Sequence, residues 1–251
     1  MKRFLPLALA ALLLSACTDP SREVIAREVA GKRLPTQSVV RAGDFAMLSF
    51  VRIDQRGAAA QVYIEGEDLS GDAEDPTPAN PVALRMATVD AAPNVIWLAR
   101  PCQYHVAKDC PKPYFGAMAF APEVVAAYNT VLDDLKEKYS LQGYVLNGYK
   151  GGGTLAVLAA AGRSDVLGIR TVSSLLNHEM PRSLDPSDWA AKLEKVPQRH
   201  FSGKDDPLDN FGSYQAAVSD DICLHHAWLD ITGDWTPGWK DQLALPLTCS
   251  R

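Results

Sequence analysis

The chain has 251 residues, a net charge of −5, 47% hydrophobic residues and five cysteines. That length supplies one sizeable core and fits a single domain. The mildly acidic balance and the lack of any basic cluster exclude nucleic acid as a partner.

The N-terminus carries Lys2 and Arg3, an apolar run from Phe4 to Leu14, and then Leu14-Ser15-Ala16-Cys17. A basic start, a short apolar stretch and small residues before a cut mark a secretory signal. The run is about half the ~20 residues that a spanning helix needs. Leu-Ser-Ala-Cys resembles a bacterial lipobox, which implies cleavage before Cys17 and a diacylglycerol on its sulfur. Thr18, not Asp, follows the cysteine, which in the Gram-negative sorting rule it resembles favours the outer membrane, facing the periplasm. Residues 1–16 are then signal peptide, 17–37 a lipidated tether and lead-in, and 38–251 the domain. The expected partners are the membrane, through that lipid, and a small ligand or an envelope protein. Four cysteines remain, and an even number in an oxidising envelope suggests disulfides. Cys102 and Cys110 bracket an eight-residue step with Pro101 and Pro111 on its flanks, so they pair, leaving Cys223 with Cys249.

Extended and helical patterns alternate after the lead-in. "FAMLSFVRI" (45–53) and "AAQVYIEG" (59–66) read as strands joined through a turn at Arg56-Gly57. Residues 66–81 are acidic, rich in proline and glycine, and read as a loop. Its five carboxylates, Glu67, Asp68, Asp72, Glu74 and Asp75, lack the alternation of a calcium loop, so no metal site is assigned. "NVIWLARP" (94–101) is a buried strand, and 121–139 repeats apolar residues at helical spacing with Pro122 and Glu123 at its start. A strand at 144–149, a glycine turn and a helix follow. Next come strands at 166–174, 197–203 and 224–232, with helices near 186–195 and 210–219. Continuous apolar strands alternating with helices predict an α/β fold, a mostly parallel sheet covered on both faces. Trp228, Trp235 and Trp239 read as core rather than pocket lining.

"GYVLNGYKGGGTLAVLAAAG" (143–162) is the segment that bears on chemistry. In one reading Lys150 sits at a strained apex between strand and helix, and Gly148 and Gly152 are small because the two backbones nearly touch there. In another, bare N–H groups at the helix start cradle phosphate. Both G-x-x-x-x-G-K-[ST] and G-x-G-x-x-G fail to match. A purely structural glycine turn fits either geometry.

"YIEGED" (63–68), "DPTP" (75–78), "ARPCQY" (99–104), "GYKGGG" (148–153), "GKDD" (203–206) and "GDWTPGW" (233–239) occur in this order across most of residues 60–240. In them the chain resembles the α/β-hydrolase superfamily, and within it bacterial lipoproteins carrying "YIEGDG", "GYSGGG" and a late histidine before "GW". The resemblance implies the α/β-hydrolase fold with Lys150 at the nucleophile position and Asp205, with Asp206 as rival, at the acid position. The base would lie in Gly233–Trp239, which has no histidine. Tyr149 and Gly151 beside the apex, and Glu67 and Asp68 in the oxyanion loop, complete the expected cleft.

Serine hydrolysis needs a hydroxyl, a base and an orienting carboxylate, and only the carboxylate is kept. His226 lies six residues before Thr232, roughly 20 Å along an extended strand, so His225 and His226 read as sheet residues facing opposite sides. Of His105, His178 and His200, His178 is the best candidate for a replacement base. Glu67 and Asp68 would repel a developing oxyanion. The helix dipole favours a neutral Lys150 amine, but the nearby carboxylates favour the ammonium. Lys150 is therefore expected as a salt-bridge partner of Asp205 or Asp206. The expected function is a catalytically degenerate envelope lipoprotein that binds a ligand or partner and uses no cofactor. The alternative is an active serine-independent hydrolase, esterase-like, using Lys150 or an unrecognised residue.

Overall fold

The computed structural model describes residues 21–67, 75–105, 110–203, 206, 211–219, 221–231 and 233–250. Asp68, Asp205 and Cys17 lie outside them. In chain order the described elements are α1 (Arg22–Ala30), β1 (Thr36–Ala42), β2 (Phe45–Ile53), β3 (Ala60–Ile64), α2 (Val82–Val89), β4 (Asn94–Leu98), α3 (Pro122–Tyr139), β5 (Tyr144–Tyr149), α4 (Gly151–Ala160), β6 (Val166–Val172), β7 (Gln198–Gly203), α5 (Phe211–Ala216), β8 (Leu224–Leu229) and α6 (Thr236–Ala244).

The strands form an eight-stranded sheet in the order β1-β2-β4-β3-β5-β6-β7-β8. β1 and β2, and β2 and β4, pair antiparallel, and every other pair is parallel. The central strands are covered on both faces, so β4 is buried along its whole length, whereas the edge strand β8 is buried only at Leu224. One face packs Val124, Tyr128 and Leu132 of α3 with Leu155 and Leu158 of α4. The other packs Ala26 and Ala30 of α1, Leu84 of α2, and Trp235 and Trp239 at α6 around Trp97.

α3 begins on Pro122 with Glu123 in its first turn, carries Lys136 and Lys138 in its last, and stops at Ser140 in the left-handed conformation. The turn at Arg56-Gly57 forms, with Gly57 at φ +80°, but β4 inserts between the two strands it joins.

Four expectations are revised. The lead-in is helical from Arg22 and packs on α2, so the folded body starts upstream of residue 38. α2 has no counterpart in the sequence reading. The helix near 186–195 is 3-10 over Pro186–Leu193, opened by the Asp185 carboxylate accepting from the Ser187 N–H at 2.8 Å. Trp235 and Trp239 are core, but Trp228 is 60% exposed on the edge strand. Cys102 pairs with Cys110, and Cys223 with Cys249.

Candidate functional site

β5 runs up the middle of the sheet, and its last residue is followed by Lys150 at φ 49° and ψ −125° before α4 begins. This is left-handed backbone that a side chain adopts only under strain. The Lys150 N–H donates to the Val172 carbonyl at 2.8 Å, and its own carbonyl accepts from the Gly153 N–H at 2.9 Å, so both sides of the apex are pinned. A Cβ on Gly148 would strike the Gly152 backbone, and one on Gly152 would strike the Ile64 and Glu65 carbonyls. The glycine spacing is thus a consequence of β3, β5 and α4 approaching at backbone distance.

The first free N–H of α4, on Gly151, points at the loop leaving β3. There the Glu67 carboxylate accepts from it at 3.1 Å through Oε2. The same Oε2 is ion-paired with Arg100 Nη1. Arg100 emerges from the end of β4, is 5% exposed, and lays its guanidinium over the Phe120 ring. Gln103 holds this corner together: its side-chain oxygen accepts from the Arg100 N–H at 2.9 Å, and its amide donates to the Gly66 carbonyl at 2.8 Å. Glu67 therefore occupies the helix terminus instead of standing off and repelling charge there.

Lys150 is half-buried and makes no ion pair among the described residues; its ammonium lies 5.5 Å from the centre of the Tyr149 ring. The expected bridge to Asp206 is not formed. The nearby carboxylate of Glu67 is already bound to Arg100, and the elbow directs Lys150 between two cavities. The first, about 200 Å³, is lined by Glu67, Arg100, Phe120, Lys150, Gly151 and Met180 among others. The second, also about 200 Å³, is lined by Tyr149, Lys150, Ser173, Asp206, Gly233 and Trp235. Asp206 lines the second cavity together with Gly233 and Trp235 at the start of the Gly233–Trp239 loop, and among the described residues no histidine lines either cavity.

The histidines lie elsewhere. His226 accepts or donates at 2.6 Å to the Ser202 hydroxyl and stacks on Phe211, while His225 on the opposite side reaches the Thr248 carbonyl. His200 is buried against the Thr171 hydroxyl at 2.7 Å, and burial, with His226 close by, pushes its pKa down to about 3. His178 sits behind the first cavity against Phe120; its Nδ1 accepts from the Met180 N–H, and burial lowers its pKa. Among the described residues no group of three or more His, Cys, Asp or Glu is placed to hold a metal ion.

Sequence reasoning missed Arg100 and Ser173. A charge two residues beyond a strand buried along its whole length needs a partner, which was the available signal for Arg100. Ser173, at φ 52° just past β6, lines both cavities, and nothing local in the sequence marks it.

A glycine-flanked elbow at the end of the central strand, in a mostly parallel sheet covered on both faces, defines the α/β-hydrolase fold, and this chain has that fold. It is similar to an α/β serine hydrolase homologue from Coxiella burnetii (14% identity over 83% of this chain and 93% of that one, TM-score 0.58). It is also similar to a lidless α/β serine hydrolase from Xanthomonas campestris (9%, 82% and 89%, 0.55) and to Est1E from Butyrivibrio proteoclasticus (10%, 82% and 97%, 0.52). At these identities the likeness concerns the fold alone. No family model and no curated protein matches the chain.

Proposed function

We propose that this is a lipid-anchored envelope protein of the α/β-hydrolase superfamily whose cleft binds a ligand and does not turn esters over. The observation that carries the reading is the Glu67 carboxylate on the Gly151 N–H, locked there by Arg100. In acyl transfer the N–H after the apex residue must be open to stabilise a developing oxyanion. A carboxylate already bound to it fills that position and leaves the N–H no free direction in which to donate. Lys150 in place of a hydroxyl, and a Gly233–Trp239 loop without histidine, support the same conclusion. The lipobox-like Leu14–Cys17 supports the anchor.

The test sets the purified full-length protein and a Lys150→Ser variant against p-nitrophenyl esters and a fluorophosphonate probe. Neither should turn over or label, because the variant regains a hydroxyl but neither a base nor an open N–H. Turnover by the wild type that disappears in Lys150→Ala would overturn the reading in favour of a lysine-dependent hydrolase.

A further inference from the structure

Among the described residues, three ionic side chains line the first cavity: Glu67, Arg100 and Lys150. Arg100 and Glu67 neutralise one another. Lys150 has no carboxylate partner among the described residues, so these lining groups leave one net positive charge. The remaining wall is largely apolar, formed by Phe115, Phe120, Leu175 and Met180. We propose that this cavity binds a carboxylate monoanion with a short apolar chain, its head on Lys150 and Ser173 and its chain against Phe120 and Met180. The inference rests on the reading of the cleft as a binding site.

Three features select this ligand class. Ser173 and Lys150 both line the first cavity and the second, so these two residues share one boundary. A carboxylate has acceptor capacity for a hydroxyl and an ammonium together, and charge-assisted hydrogen bonds are the stronger kind. The Gly151 N–H, the donor a phosphate would use at a helix start, is taken by Glu67. With Glu67 held by Arg100, Lys150 is left to balance one negative charge, so a dianion would bring a second charge into the cavity without a partner. Finally, about 200 Å³ falls below the roughly 300–1,000 Å³ of pockets for drug-sized ligands, which suits a short chain and excludes a diacyl lipid. Burial of the chain supplies affinity, and the Lys150 ammonium decides which end goes in.

The experiment measures binding of hexanoate, 1-hexanol, hexylamine and hexyl phosphate to the purified full-length protein by calorimetry. Hexanoate should bind about tenfold more tightly than hexanol, the effect of one charge-assisted hydrogen bond, and hexylamine more weakly than either. Lys150→Arg should keep the preference for hexanoate over hexanol, and Lys150→Met should erase it. Equal affinity for hexanoate and hexanol in the wild type overturns the proposal without any variant having to fold. So does tighter binding of hexyl phosphate than of hexanoate, or a preference that survives in Lys150→Met. Ester turnover by the wild type would instead overturn the reading beneath it, so the two failures are distinguishable.

Discussion

Glu65 and Glu67 stand two residues apart, yet they answer to different demands. Glu65 is fully buried, and its carboxylate accepts from the N–H groups of Gly66, Ala83 and Leu84 and from the Trp97 indole, at 3.0–3.1 Å. It thereby caps the start of α2, which has only Pro81 at its own cap position and no side-chain bond there. Burial pushes its pKa from the ordinary 4.5 up to about 7, with the four hydrogen bonds acting in the opposite direction. A carboxyl whose folded pKa exceeds its unfolded one favours folding while protonated. Its stabilising contribution is complete below about pH 4.5 and is lost as pH rises through 7. The unfolding free energy of the wild type should therefore fall across that window by on the order of 2–3 kcal/mol relative to Glu65→Gln. Urea denaturation at stepped pH reads the difference, and parallel wild-type and variant curves would remove Glu65 as its source. Glu67, by contrast, is partly exposed and spends its charge on Arg100 and Gly151, so its role belongs to the cleft.

The strand-turn-helix unit holds Lys150 in a backbone conformation that glycine adopts without penalty. The strain persists because β3, β5 and α4 approach at backbone distance where Gly148 and Gly152 stand, which fixes the path of the turn between them. A non-glycine residue in such a region costs on the order of 1–3 kcal/mol, offset in part by the greater chain entropy of unfolded glycine. Lys150→Gly should thus be more stable than Lys150→Ala by about 1 kcal/mol in chemical denaturation. Comparing two truncations with each other removes the loss of the lysine side chain from the measurement. If the alanine variant proves equally or more stable, the apex is relaxed and the elbow geometry has another cause.

At the scale of the whole molecule, the sheet and its site were legible to different depths. The buried strands announced themselves as apolar runs, and the apex was found because glycine spacing is local. α1 was hidden because its buried face consists of only Ala26 and Ala30 amid charged residues. α2 was hidden because its cap comes from Glu65, far upstream in sequence. The Arg100–Glu67 pair spans 33 residues, a partnership that only the fold discloses. The proposed membrane attachment also belongs to the whole molecule. Among the described residues no helix is long and apolar enough to cross a bilayer, so on the present proposal attachment depends on a lipid at Cys17. One acyl chain binds membranes only marginally, whereas two or more anchor stably, which is what a diacylglycerol thioether provides. The native protein should then enter the detergent phase on partition and incorporate labelled palmitate. Cys17→Ser should abolish both while leaving thermal unfolding of the body unchanged, since α1 starts beyond it. A wild-type product that stays in the aqueous phase and takes up no label would mean that the lipobox-like sequence is an ordinary signal ending.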